Sequence, residues 1–444
     1  MSGLTNRGYS RRTFLKAAAG ATGLMALAAC APVAPGAAPA AEGGAPAAEA
    51  VSVLWWRSQS GSIGDLLAKF AVDFNAENPG IVVQDEYQGD YIETMNKVIA
   101  AAAANALPDM LLVGDGQYLP LARNGILLNM NDLIDGPNGL DLTEYMEPIN
   151  RGKLDGNMYQ LAYGVSTPIF YANKELLDEA GLSGAPETWD IAFNEYFPKL
   201  ATEDVVAFAY SPGNWWQQSA VWSAGAMVND DNWEIDLANP AVVEWFERMQ
   251  AARQQGEAYV PTAADGGASA YFGSAKAVMT IESTGLIGSI DEISGGAFTA
   301  EVGFLPSGPG GRWVPSGGNG LSIIEGVDEA TRDASWQFIT YMHAPEQYAA
   351  YDRLTGYIPI RASVEEALAD VIAADPRRQV AIDQFEFSRW HMKIHTVARA
   401  SQEMKDAWDE CITTDVNVKE RLERLQQTCV EIAIEEGFEP TLPS

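Results

Sequence analysis

From Val51 to Gly116 the chain alternates short apolar runs with amphipathic stretches, and this rhythm narrows the choice of fold more than any other feature. Val51 to Trp56 is apolar around one serine, which predicts a buried strand that delivers its end to a small polar stretch, Arg57 to Gly64. Ile63, Leu66, Leu67, Phe70 and Phe74 follow at helical spacing until Asn78-Pro79-Gly80 stops the pattern. A second strand is predicted over 81–87, a helix from Tyr91 to about Asn105, and a third strand over 110–113. This order indicates an α/β domain with a mainly parallel sheet. Ligands of such sheets sit beyond the carboxyl ends of the strands, which puts Trp56 to Ser60, Tyr87 to Tyr91 and Asp115 on one rim. Further on, strands are predicted over 168–172 and 277–281, and a helix over 174–180. Pro306 to Gly320 reads as an exposed Gly/Pro-rich loop, and 329–343, 345–354, 364–372 and 401–436 are helical in pattern.

The N-terminus carries an address. Ser10-Arg11-Arg12-Thr13-Phe14-Leu15-Lys16 has the form of a twin-arginine export signal. Ala17 to Ala29 is small and apolar, too short for a spanning helix, which needs roughly 20 residues, but suited to a signal core. It closes on Leu27-Ala28-Ala29-Cys30, which resembles the bacterial lipobox and makes Cys30 the expected lipid acceptor. Residues 31–50 are almost all Ala, Pro, Gly and Glu, a composition that cannot offset its ordering entropy and reads as a flexible tether. The expected location is the outer face of the cytoplasmic membrane, held by the lipid anchor alone.

At 444 residues the chain exceeds what one core usually serves, so two domains are expected. Its formal net charge of −32 repels nucleic acid and anionic headgroups, and neither is an expected partner. Besides Cys30, Cys411 and Cys429 lie in the C-terminal helical region, either bridged as a disulfide between two helices or free and buried.

Several segments together resemble family 1 extracellular solute-binding proteins, which serve ABC importers of sugars and polyol phosphates. They are Phe74-Asn-Ala-Glu-Asn-Pro79, Ser166-Thr-Pro-Ile-Phe-Tyr-Ala-Asn-Lys174, Pro186-Glu-Thr-Trp-Asp190, Phe272-Gly-Ser-Ala-Lys-Ala-Val-Met-Thr280, Val302-Gly-Phe-Leu-Pro306 and Thr355-Gly-Tyr-Ile-Pro-Ile360. The resemblance implies a type II, maltose-binding-protein-like fold: two α/β lobes joined by three crossovers and closing on a ligand by hinge motion. The crossings are expected near Val165, Glu282 and Pro345, giving lobe one as 51–165 plus 283–344 and lobe two as 166–282 plus 345–444. It also implies a small-molecule ligand, a sugar or a polyol phosphate, ABC permease subunits as partners, a monomer, and no cofactor or metal.

Within the family the sequence looks nearest to the glycerol-3-phosphate binders, and the ligand-contacting positions carried over from them are Tyr91, Asp115, Ser166, Ser283, Gly318 and Tyr357. Asp115 has a second reading as a helix cap or turn residue. Trp215 and Trp216 stand where the family's second lobe presents stacking aromatics, with core packing as the alternative, and Trp56 and Ser58 are candidate lining residues. Those relatives hold phosphate partly with an arginine; the equivalent position here is Val397, and Arg389 and Arg399 are displaced candidates for anion binding. An arginine fork is a strong bidentate phosphate ligand, so its absence ranks a neutral sugar above glycerol 3-phosphate or a glycerophosphodiester. A secreted carbohydrate-active enzyme is the reading set aside. No G-x-S-x-G elbow or Walker A pattern occurs, and His391 and His395 flank Met392 where a zincin needs glutamate, so they read as histidines on a helix surface.

Overall fold

A computed structural model describes residues 50–146, 149, 152–226 and 233–442. The twin-arginine segment, Cys30 and almost all of the expected tether lie outside the described residues.

Ten strands build two five-stranded sheets: β1 (Val51–Arg57), β2 (Ile81–Tyr87), β3 (Met110–Gly114), β4 (Leu161–Ser166), β5 (Pro168–Asn173), β6 (Val206–Ala209), β7 (Ala258–Tyr259), β8 (Ala277–Ser283), β9 (Ala300–Gly303) and β10 (Gly317–Ile323). The first sheet has the order β2-β1-β3-β10-β4 and the second β9-β5-β8-β6-β7. Each is mixed rather than mainly parallel. In the first, β1 runs parallel to β2 and β3, whereas β10 runs antiparallel to β3 and β4. In the second, β8 is parallel to β6 but antiparallel to β5, and β9 is antiparallel to β5. The antiparallel strands arrive from crossovers between lobes, not from local strand–helix–strand units.

Local chemistry explains the elements. The helix Gly61–Glu77 buries Leu67, Phe70 and Phe74 at helical spacing, where Phe74 meets Phe338 and Tyr341. The helix Tyr91–Ala104 starts with a capping box, Asp90 accepting from Ile92 N and Glu93 N while Glu93 reaches back, and ends on Asn105 in the left-handed conformation.

The chain is two-lobed and mixed α/β, with one five-stranded sheet and one large core in each lobe. One core gathers Trp55, Leu112, Tyr163 and Leu321, the other Phe208, Trp216, Trp245 and Trp408. Two expected crossings fall elsewhere. After β8 the chain stays with the second sheet, because Ile287, Ile290, Phe298 and Ala300 pack on Ile169 and Tyr171 and β9 pairs with β5. The crossing lies between Val314, in the second core, and Gly317, which pairs with Ser166 of the first sheet. Likewise Tyr348, Tyr351, Ile358, Ile360 and Val364 seal the first core, which moves the last crossing from Pro345 to the helix Pro376–Gln384. Buried Gln384 ties it to the strand connection at residues 166–168, donating to Thr167 Oγ1 at 3.0 Å and to the Pro168 carbonyl at 2.8 Å.

The expected Gly/Pro loop ending at Gly320 is another correction. Val314 to Gly317 and Asn319 to Gly320 are buried, and β10 occupies the interior of the first sheet. Its glycines serve close approach: Gly317 lies under the Trp215 ring, and Gly318, at φ +128°, abuts the Gly164 carbonyl. The C-terminal helical stretch is two helices, Ala398–Thr413 and Val418–Glu435. Cys411 and Cys429 are free and buried there. Arg421 pairs with Glu410 at 2.6 Å, so residue 421 faces the neighbourhood of Cys411. Cys429 lies 429 − 421 = 8 residues further along the helix, roughly 12 Å at 1.5 Å per residue, which is the reason no bridge forms.

Candidate ligand-binding site

The first lobe presents a network of neutral donors and acceptors. Beyond the end of β1, Gln59 Nε2 donates to the Tyr91 hydroxyl at 3.0 Å. Asn319, 1% exposed in β10, donates from Nδ2 toward the hydroxyls of Tyr351 at 3.0 Å, Tyr357 at 3.3 Å and Tyr91 at 3.4 Å. Its Oδ1 accepts from Gly164 N at 3.2 Å, which fixes the amide orientation. Tyr357 stacks on Tyr351 with centroids 5.5 Å apart and is flanked by Gly164 on one side and Gly285 on the other. Burial raises the pKa of Tyr91, Tyr351 and Tyr357 above the ordinary phenol value, so all three stay neutral. The backbone N–H of Asp115 donates to the Gly318 carbonyl at 3.2 Å, tying two expected site residues together.

The second lobe contributes fewer, less saturated groups. β6 runs into Tyr210 and the loop holding Ser211, Trp215 and Trp216. Half-buried Trp215 donates its indole N–H to the Ser316 carbonyl at 2.8 Å, at the second crossover. Trp216 turns the other way. It is 3% exposed and packs edge-on against Tyr210, Phe208 and Trp245, so the expectation that it stacks on ligand is corrected: its ring completes the second core. Ser283 accepts from Gly285 N at 3.1 Å through Oγ, and Ser166 is buried where β4 meets Gly317. Beside Ser283, the half-buried Glu282 has the Ser211 hydroxyl as hydrogen-bond partner; burial raises its carboxyl to about 7, and the Ser211 bond opposes the rise.

The two rims touch through Asp115. His391, 2% exposed, brings Nε2 to 3.4 Å from Asp115 Oδ1 and stacks on His395 at 4.7 Å. Neither histidine lies on a helix surface: His391 precedes a 3-10 turn, His395 lies in it, and both face Gly116. Burial holds His395 well below its ordinary pKa, so it is neutral. Arg123 of the first lobe also reaches the Thr396 Oγ1 at 3.1 Å.

Other candidates scatter. Arg399 is 57% exposed and pairs with Glu435 at 2.6 Å. Arg389 lies at the second crossover with its guanidinium 3.5 Å from the centre of the Trp313 ring, and Val397 is packed into the second core. Trp56 bonds Glu86 of β2 and packs beside Val98, Leu111 and Val113 on one face of the first sheet. The Ser58 hydroxyl is buried without a partner among the described residues. A cavity of about 710 Å³ lies at the opposite end of the first sheet, lined by Asn105, Asp109, Ile324 and Asp328, away from both rims. Sequence reasoning put Gln59 within the rim segment without naming it, weighed His391 only as a metal ligand, and missed Asn319 and Glu282. Asn319 stood inside the presumed loop, and Glu282 carried no local motif.

Residues 69–380 match the model of a family described as bacterial extracellular solute-binding protein. The sn-glycerol-3-phosphate-binding periplasmic protein UgpB of Escherichia coli K12 is 25% identical over 334 residues, 70% of this chain and 75% of that protein. The protein of that name from Brucella abortus is 26% identical over 359 residues, 74% and 80%. Among solved structures, UgpB from Mycobacterium tuberculosis in complex with glycerophosphocholine superposes with a TM-score of 0.79 at 24% identity, covering 87% of this chain and 99% of that one. The GacH receptor of Streptomyces glaucescens, described with acarbose, gives 0.78 at 17% identity, covering 88% and 100%.

Proposed function

The chain belongs to the bacterial extracellular solute-binding protein family, and on that premise we propose that it captures a neutral mono- or oligosaccharide between its lobes for delivery to an ABC permease. The observation that carries this reading is the character of the facing rims: three neutral tyrosines, Asn319 and Gln59 on one side, with Asp115, Glu282 and Trp215 around them. Phenols, amides and carboxylates pair hydroxyls, and an indole face covers the C–H surface of a sugar. Val397, the position equivalent to the arginine expected in the phosphate binders, is a core residue and supplies no cation to hold an anion. The ligand bridges both lobes and stabilises the closed form by binding it better. No catalytic step belongs to this reading, and the binding cleft needs no metal or cofactor.

A glycerophosphodiester is the second reading, favoured by the likeness to proteins named for glycerol 3-phosphate and to one crystallised with glycerophosphocholine. Arg389, which pairs with Pro315 at the second crossover, is then the candidate cation. Export through the twin-arginine signal, lipid anchoring at Cys30 and action as a monomer complete the proposal. No described helix is long and apolar enough to cross a membrane, which is compatible with attachment by lipid alone.

Calorimetry and thermal shift against mono- and oligosaccharides, glycerol 3-phosphate and glycerophosphocholine test the choice. A sugar is expected to raise the melting temperature by mass action. A response confined to the phosphate esters overturns the sugar reading and leaves the solute-binding class intact.

A further inference from the structure

Around His391 the hydrogen inventory closes. Met392 N donates to Gln218 Oε1 at 3.0 Å, which fixes the orientation of that amide. Its nitrogen therefore carries both hydrogens, one given to the Asn214 carbonyl at 2.9 Å and the other facing His391 Nδ1 at 3.2 Å. An amide nitrogen only donates, so Nδ1 must be the unprotonated acceptor and the single imidazole hydrogen sits on Nε2. That hydrogen faces Asp115 Oδ1 at 3.4 Å. His395 stacks on the ring at 4.7 Å and 20°, and its own two nitrogens have no partner among the described residues. Gln218 is fully buried and rises from a second-lobe helix, Gln217–Ala224, whereas Asp115 follows β3 of the first lobe.

We propose that His391 is a positioning residue for Asp115: it delivers one tautomer-defined N–H from the second lobe to Oδ1, leaving Oδ2 free for a ligand hydroxyl. The inference rests on the reading above that Asp115 holds ligand. Because donor and acceptor belong to different lobes, the bond exists only while the lobes are together, so orienting the carboxylate and closing the cleft are one event. A ligand that engages Oδ2 thereby favours closure beyond its own contacts. Gln218 acts one step further back, since reversing its amide would place an acceptor against Nδ1 and move the hydrogen away from Asp115.

The chain has three histidines, so a long-range 1H–15N spectrum of the purified full chain resolves each ring. His391 is expected in the Nε2-protonated form, and an Nδ1-protonated ring overturns the proposal. Binding is read with maltotriose and with glycerophosphocholine as probes. H391F is expected to weaken whichever probe binds about tenfold and to lower the unliganded melting temperature, because it leaves a buried Gln218 N–H without its acceptor. H391Q, which keeps a donor and an acceptor, is expected to weaken binding less than about threefold with a melting temperature close to wild type. In the D115N/H391F double variant the histidine change should add less than about twofold to D115N alone. If D115N weakens binding and H391F does not, the inference fails and the site reading stands. If D115N binds as wild type does, the site reading fails first. If neither probe binds, the tautomer spectrum alone judges His391.

Discussion

The two rims that face each other are built on opposite principles. On the first lobe, Gln59, Tyr91, Asn319, Tyr351 and Tyr357 are bonded to one another. If it binds ligand as proposed, that surface is held in one geometry by its own bonds and would lose little conformational freedom when the ligand arrives. On the second lobe, Glu282 has a serine hydroxyl and no ion pair among the described residues, Trp215 is held by one bond, and His391 borrows its acceptor from across the cleft. One rim is a rigid template, and the other supplies groups with bonding capacity in reserve. On the proposed reading, a protein that must release what it binds gains from this asymmetry, because the template would survive opening and only the second rim's contacts would be broken.

The adjacent pair Trp215 and Trp216 offers the sharpest break of that contrast. Trp216→Ala should cost about 3–5 kcal/mol, read as a lower melting temperature, because it empties a cavity among Phe208, Tyr210 and Trp245. Trp215→Ala should instead lower ligand affinity by about tenfold with a much smaller stability loss. If the two exchange effects, the second rim is wrongly drawn.

Asn319→Ala tests the template and should cost about 2 kcal/mol in denaturant unfolding, since it orphans Gly164 N–H and deprives three phenols of a donor. Native stability there would show that the first rim is not held by its network.

Glu282→Gln tests the second rim through pH. The folded carboxyl titrates near 7, above its ordinary 4.5, so wild-type folding is least penalised below pH 4.5 and loses stability as pH rises from there through 7. The variant should therefore melt higher than wild type at pH 8 and alike at pH 4; equal melting at both values means the carboxyl is solvated. The smallest effect belongs to Arg399→Ala, within about 0.5 kcal/mol and without change in affinity, because its pair with Glu435 is exposed.

Much of the fold was legible in the sequence, for a definite reason. β1 to β3 and their helices announce themselves by local periodicity, and Asp90, Asn78 and Asn105 mark the ends by chemistry within a few residues. Tyr91, Asp115, Gly318 and Tyr357 were named because motifs carried them, and the structure gathers them on one rim. Non-local pairing hid the rest. β9 and β10 are short or Gly-rich strands that form only because β5, β3 and β4 wait for them, and nothing in residues 306–320 announces an interior strand.

Trp215 and Trp216 make the same point at the scale of one side chain. Sequence determined that two large aromatics stand in a Pro/Gly/Asn-rich turn, together with the residue types for binding hydroxyls. Only tertiary structure decided which ring completes a core and which stays at the crossover. Neighbouring side chains on such a turn point in different directions, and their fates depend on Trp245, some thirty residues further along, and on Gly317 of the other lobe. His391 is the extreme case. Its partner lies 276 residues away, a relation that periodicity cannot encode because it exists only once two separately formed lobes meet.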